Sequence, residues 1–488
     1  MKVIKSLLSI ALCLFFYTNS AQTINWGAEA DAGTEMYKMG WHEGFLYNAQ
    51  FNFDESFLIQ KIANDMSVAL SKEIKIEGAS NTSPVHFQIS DDQIQVFIVK
   101  ELGKSEGGTQ LFLETFDLEG DFIKSKLIYA FEKKGLKSFG GSGSIIASSA
   151  DGKKLALAQT LYANGVKESF DIQLYTFDSN GENLEVFSKS IVAYRDLKSR
   201  ELKEIFIDSK GNFIVNYAVQ EYTPYRKYSK LLILDDKGST VVDRGFKFDD
   251  VAYAQVEMEL SDDDRLYITG MLEKAVNGRL ANVGFFISNF SKETFVLNEI
   301  QEFKYEEDFF LKLGYKVKDD GRVSFKGVYL LELVIEKNKG FLIASHRMQP
   351  ETVTYDAEIL VIPFDSELKL SGTKVIPRLL TSIVAMQNGF GYFSFIENGG
   401  LKVIYTDHSK NLEINELDNL KITSSPNSNN AVLYLATVNP NEPIQRSILS
   451  ISNPIEGYLI PKKCQAEDGR YVLNVMNKGK VIYGEVKF

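Results

Sequence analysis

Imidazole is the side chain that most often serves metal binding and proton transfer near neutral pH, and this chain carries four, His42, His86, His346 and His408. No two of them lie three to five residues apart and no His-Glu-x-x-His string occurs, so none forms a local zinc motif. His42-Glu43 stands alone beside Trp41. Ser142, in the string GGSGSII from Gly140, invites comparison with a nucleophile elbow. That turn needs glycines two before and two after the serine, and position 144 is Ser. The string DSNGEN from Asp178 gathers oxygen ligands, yet Asn183 and Lys189 stand where a calcium loop requires Gly and Glu. The 65 acidic residues permit a paired-carboxylate hydrolase and single out no pair. The sequence therefore assigns no catalytic residue, no metal ligand and no cofactor.

A binding chemistry is easier to see. In EYTPYRKYSK from Glu221, the aromatic residues Tyr222, Tyr225 and Tyr228 interleave with Arg226, Lys227 and Lys230. Tyrosine rings stack on sugars or pack on peptides, and arginine pairs with carboxylates. With Arg279 and Arg347, these residues are the candidate ligand-binding set: Tyr222, Tyr225, Arg226, Tyr228, Arg279 and Arg347.

The elements that must position them follow from a repeated turn. FDLEGD from Phe116, FDSNGE from Phe177, LDDKGS from Leu234, SNFSKE from Ser288, FDSELK from Phe364 and TDHSKN from Thr406 form one series. A second series, ISDDQI from Ile89, SADGKK from Ser149, DSKGNF from Asp208, SDDDRL from Ser261 and EKNKGF from Glu336, runs about 27 residues ahead of the first. Asp and Asn bond to their own backbone and Gly accepts positive φ, so these strings read as tight hairpins. Between them lie short alternating strands such as Phe213, Val215 and Tyr217. Four strands and two tight turns per ~55 residues is the size of a propeller blade. The expected fold is all-β: a single β-propeller of seven or eight four-stranded antiparallel blades over residues 22–488, closed by pairing the two ends of the chain. A short helix or a hairpin is expected within 304–326, and a compressed final blade after TDHSKN. In such a ring, the second-to-third and inter-blade loops share one face, where the longer segments fall: 101–109, 162–169, 220–230, 273–281 and 347–356.

Residues 1–21 have the layout of a signal peptide: Lys2 and Lys5, an apolar run from Ser6 to Tyr17, then Thr18, Asn19, Ser20 and Ala21 before Gln22. The run is shorter than the ~20 residues of a membrane-spanning helix, and the mature chain is expected to hold no transmembrane segment. Leu12 before Cys13 speaks against lipidation. Without those residues the chain has 52 basic and 65 acidic residues, a formal charge of −13, and nucleic acid is not an expected partner. Cys464 is then the only thiol, read as a buried apolar residue, and no intrachain disulfide can form.

SSADGKK from Ser148 resembles the Ser-Pro-Asp-Gly-Lys turn of bacterial periplasmic propellers, with Ala150 in place of proline. VIYTDHSKNL from Val403, NNAVLYLATVNP from Asn429 and KCQAEDGRYVLNVMNKGKVIYGEVKF from Lys463 resemble the ends of uncharacterised secreted propeller-like proteins of Bacteroidota. The resemblance implies export and a propeller, and no catalytic residue. No Ser-x-Asp-x-Gly-x-Thr-Trp turn of the sialidase kind occurs, since Trp26 and Trp41 both precede the first repeated turn. The expected role is noncatalytic binding or scaffolding of a protein or glycan in the periplasm, at the outer surface or outside the cell. The alternatives are a glycan-acting hydrolase on the same fold and an outer-membrane barrel. Against the barrel stands the near-continuous apolar run Val328 to Ile335, which suits a sheet buried on both faces.

Overall fold

Aspartate sets the hairpins of this chain by local hydrogen bonding. Asp117, Asp208, Asp235 and Asp365 each accept the backbone N–H groups of the residues two and four further on, at 2.7–3.0 Å. The third residue after each aspartate takes a left-handed backbone: Gly120, Gly211, Gly238 and, without glycine, Leu368 at φ 62°. A two-connection repeat of this kind leaves a four-stranded meander as the natural unit.

The computed structural model describes residues 23–486 apart from 32–34, 53–55, 77–80, 102–108, 132–143, 163–168, 193–196, 222–226, 246–250, 262, 277–278, 292–293, 307–308, 314–327, 338, 349–352, 384–391, 423–429, 452–457, 460–469 and 478–479. Eight antiparallel sheets follow one another. Blade 1 comprises Glu35–His42, Phe45–Asn52, Ser56–Ile62 and Val68–Lys75; blade 2, Asn81–Ser90, Gln93–Glu101, Thr109–Phe116 and Phe122–Ala130. Blade 3 comprises Ser144–Ser148, Lys154–Tyr162, Ser169–Asp178 and Glu185–Val192; blade 4, Leu197–Ile207, Phe213–Glu221, Lys227–Leu234 and Thr240–Gly245. Blade 5 comprises Val251–Leu260, Leu266–Val276, Arg279–Asn289 and Gln301–Lys304; blade 6, Val328–Glu336, Lys339–Met348, Val353–Phe364 and Lys374–Ile376, with Leu380–Ile383 also paired to its third strand. Blade 7 comprises Tyr392–Glu397, Gly400–His408, Ala431–Val438 and Gln445–Ile448. Blade 8 takes Tyr458–Leu459, Tyr471–Asn477 and Lys480–Val486 from the end of the chain and its outer strand, Thr23–Trp26, from the beginning. This is an eight-bladed β-propeller.

The core is divided among the blade junctions, with one buried apolar cluster for each of the eight neighbouring pairs. First strands neighbour one another around the centre, as between blades 1 and 2, 3 and 4, or 5 and 6. Outer strands alternate with solvent, as Val68–Lys75 does residue by residue. Central strands are buried on both sides, and Phe213–Val219 is buried throughout. Among the described residues no helix is long and apolar enough to cross a membrane.

Two expectations need correction. TDHSKN is not a third-to-fourth hairpin: Thr406–His408 closes the second strand of blade 7, and Ser409–Asn411 opens a 3-10 turn at the other end of the sheet. The hairpin in its place is at Asn439–Glu442, between the third and fourth strands of blade 7, so this unit is a full blade. The final blade recovers its fourth strand from residues 23–26 and is not truncated. In the 304–326 insertion a helix covers Phe309–Lys312, and the ring of Phe309 stacks on Tyr305 at 4.6 Å. The signal-peptide reading of 1–21, Ser142 and Cys464 lies outside the described residues.

Candidate functional site

Strand order decides which end of the ring each side chain can reach. Tyr228, Arg279 and Arg347 lie at strand ends beside the second-to-third connections of blades 4, 5 and 6, three consecutive blades with these connections on one face. Tyr222, Tyr225 and Arg226 lie outside the described residues. Tyr228 and Arg279 are strand residues, paired with Val219 and Val276. The strands thus run further toward this face than the alternation suggested, and Lys230, expected in the loop, sits in a strand 3.6 Å from Asp243.

Arg347 is committed to the fold. Its Nε donates to Asp356 Oδ1 at 2.7 Å and its Nη2 to Oδ2 at 3.2 Å. Asp356 is 1% exposed, so truncating the arginine strands a buried carboxylate. Arg347→Ala is expected to cost about 3 kcal/mol in urea unfolding, and a loss within 0.5 kcal/mol of zero would show the pair to be a surface contact.

Behind Arg347 lies a concentration of buried polar side chains that the sequence did not announce. Ser345, His346, Asp356, Glu358, Arg378, Asp407, His408 and Asn411 are all buried at the same end of blades 6 and 7. His346 Nδ1 meets Glu358 Oε1 at 3.2 Å, with both side chains fully buried, and the Tyr329 hydroxyl donates to the same oxygen at 3.2 Å. Arg378 donates to the Ala357 carbonyl at 3.2 Å and to Ser345 Oγ at 3.1 Å. Burial pushes the Asp407 carboxyl up to about 7, against the His408 N–H, the Asn411 amide and the Arg378 charge, which favour its ionised form. Burial lowers the His408 imidazole, which accepts the Lys410 N–H at 3.0 Å. Asn411 also binds Lys421 through both its backbone groups, at 2.8 and 2.9 Å. Arg446 holds the carbonyls of Asn411 and Ile414 at 3.2 and 2.9 Å. These bonds fix the start of the long second-to-third connection of blade 7.

A second feature lines the centre. In four first strands the register slips by an extra residue, between Lys38 and Gly40, Pro84 and His86, Leu202 and Glu204, and Ala254 and Glu257. Bulges re-aim side chains and recur beside functional sites. The residues on the turn side of these bulges are Gly40, His86, Glu204 and Glu257. The first strands of blades 3, 6 and 7 pair without a slip. Glu204 Oε2 accepts from Asn216 Nδ2 and, across the blade junction, from the Met258 N–H, both at 2.9 Å. Burial pushes this carboxyl up to about 8, and the hydrogen-bonded Glu257 beside it adds to the rise. At neutral pH Glu204 therefore keeps its proton. His86, half-buried against Phe97, is lowered by desolvation and sits 3.4 Å from Gln88.

At the opposite end, the tight turns of blades 1 and 2 bring His42 Nε2 to 2.9 Å from Asp92 Oδ1. Fifty positions of sequence separate them, so no local spacing signals the contact.

No protein-family model matches this chain, and no curated protein does. Solved structures similar to it include the S511A mutant of puromycin hydrolase, at 10% identity and a TM-score of 0.41, covering 76% of this chain. This chain spans half the length of that hydrolase. The β-propeller domain of the Trilobed protease from Pyrococcus furiosus is 9% identical, with a TM-score of 0.33, and covers 84% of this chain and 94% of its own. The WD40 domain of SCAP from fission yeast is 7% identical, with a TM-score of 0.38, and covers 95% of this chain and 98% of its own.

Proposed function

We propose that this protein is an exported, noncatalytic binding or scaffolding propeller that takes a carboxylate-bearing protein or glycan on the face formed by the second-to-third connections of blades 4 to 6. One observation supports the reading: Tyr228, Arg279 and Arg347, brought to notice by composition alone, stand in strands at the same end of three consecutive blades. Loops on a rigid scaffold are the usual seat of recognition, and the buried polar cluster of blades 6 and 7 supplies rigidity beneath this end. Arg347, held by Asp356, orients the edge of the face and is not its free cation. Tyr225 and Arg226 supply stacking and charge.

The test is binding by the purified chain 22–488, on a glycan array and in pull-downs from extracytoplasmic extract. A Tyr225→Ala, Arg226→Ala double variant is expected to lose at least tenfold in affinity for the ligand so found, with unchanged thermal unfolding. Equal binding by the double variant would end the reading for this face.

Glu204 and Glu257 favour a hydrolase as the second reading, because two neighbouring acid side chains, one of them holding its proton at neutral pH, are the raw material of general acid–base catalysis. Their direct hydrogen bond sets them closer than the ~5–9.5 Å that glycoside hydrolysis requires, which is why binding is preferred. Turnover of any array glycan that is abolished in Glu257→Gln would reverse that order.

A further inference from the structure

We propose that the turns of blades 1 and 2 form a divalent metal site, with His42, Glu43 and Asp92 as ligands and a first-row ion such as Zn2+ as occupant. The ligand atoms of the three residues lie within 4.8 Å of one another. His42 ends the first strand of blade 1, Glu43 follows it in the turn, and Asp92 occupies the corresponding turn of blade 2. One ligand therefore comes from a different blade, and the ion would tie two blades together at the tight-turn end.

The contact between His42 and Asp92 is the observation that points to a cation. Nε2 lies 2.9 Å from Asp92 Oδ1, yet the nitrogen, itself shielded from solvent, has no hydrogen bond of acceptable direction. An imidazole nitrogen and a carboxylate oxygen at that distance repel if both present lone pairs, and are poorly joined if the N–H points elsewhere. A cation between them satisfies both lone pairs at once. Ligand atoms on a shared ion with bonds near 2.1 Å stand ~3.0 Å apart at right angles and ~3.4 Å at tetrahedral angles, so the 2.9 Å pair needs to open by at most about half an ångström. The third ligand closes the remaining gap by rotation of the Glu43 side chain, which is exposed. The His42 ring is steadied by an edge contact with Tyr47, with centroids 6.5 Å apart. One imidazole and two carboxylates make a set that suits Zn2+ and its neighbours, with water completing the shell. The site is distinct from the proposed ligand face, since first-to-second turns and second-to-third connections lie at opposite ends of the blades.

The experiment is calorimetric titration of untagged, chelator-treated chain 22–488 with zinc chloride, beside His42→Ala and Asp92→Asn. Asparagine tolerates the left-handed backbone at position 92, where φ is 56°, so the second variant keeps the turn. One equivalent bound with micromolar affinity, weakened at least tenfold in each variant while far-UV circular dichroism is unchanged, is the expected result. A rise in the unfolding temperature of the parent with zinc, absent from both variants, would accompany it. Absence of binding at 100-fold excess over a micromolar constant overturns the proposal. So does binding that both variants retain, which would assign the zinc to other residues.

Discussion

Raising the pH from 5 to 8 is expected to destabilise this protein, and Glu204→Gln to remove much of that loss. Glu204 keeps its proton to about 8 in the fold, whereas an unfolded glutamate releases it near 4.3. Between those values the native state binds more protons than the unfolded state, so stability falls as pH rises. The contribution is whole below the unfolded value and is lost through the folded one, at ~1.4 kcal/mol per pH unit for one carboxyl. Asp407, pushed up to about 7, acts in the same direction over a narrower window. From pH 5 to 8 the Glu204 effect alone amounts to roughly 4 kcal/mol as an upper bound. Glutamine imitates the protonated acid: its oxygen can accept from Asn216 and the Met258 N–H while its amide donates to Glu257. Glu204→Gln should therefore match the parent at pH 5 and exceed it at pH 8. Urea unfolding at several pH values gives the slopes, and parallel slopes for the two proteins would show that Glu204 ionises normally.

Glu204 also illustrates what the sequence conceals. The repeated Asp and Gly turns were legible because each hairpin is built from neighbours: Asp208 bonds to the N–H groups of Lys210 and Asn212, and composition reports that directly. From such turns came the blade size, the antiparallel meander and the closure by both ends. The count resolved to eight only when Thr23–Trp26 was seen to complete the last sheet. TDHSKN misled because the residues of a tight hairpin equally suit a 3-10 turn, and His408 caps one by accepting the Lys410 N–H. Two of the partners of Glu204, Met258 and Glu257, lie on another blade, and the slip that aims it is a single extra residue in a strand. A bulge leaves no motif, and residues 204 and 257 are related only through ring geometry. The same holds for His42 and Asp92. Arg347 was singled out for its charge, and that charge proved to be bound by Asp356, whose burial could not be read from the chain.

Tyr483→Phe is expected to lower stability by about 3 kcal/mol, because one hydroxyl serves three buried amides at the ring closure. It donates to Gln60 Oε1 at 2.5 Å and accepts from Asn48 Nδ2 at 2.7 Å and Gln50 Nε2 at 3.1 Å. All four residues are buried between blades 8 and 1, so water cannot replace the lost bonds. A second latch acts on the outside of blade 8, where Ile24 pairs with Val486 and Trp26 with Gly484. A Cβ at position 484 would stand 2.6 Å from both Ile24 and Trp26 side chains, so glycine there lets the first strand close over the last. A chain beginning at Ala28 should lose this strand and unfold at lower urea. Because both changes release the same junction, their combined cost is expected to fall short of the sum of the single costs. Full additivity would mean that the inner and outer latches hold independent parts of the ring, and a Tyr483→Phe variant within 0.5 kcal/mol of the parent would show that the amides find other partners.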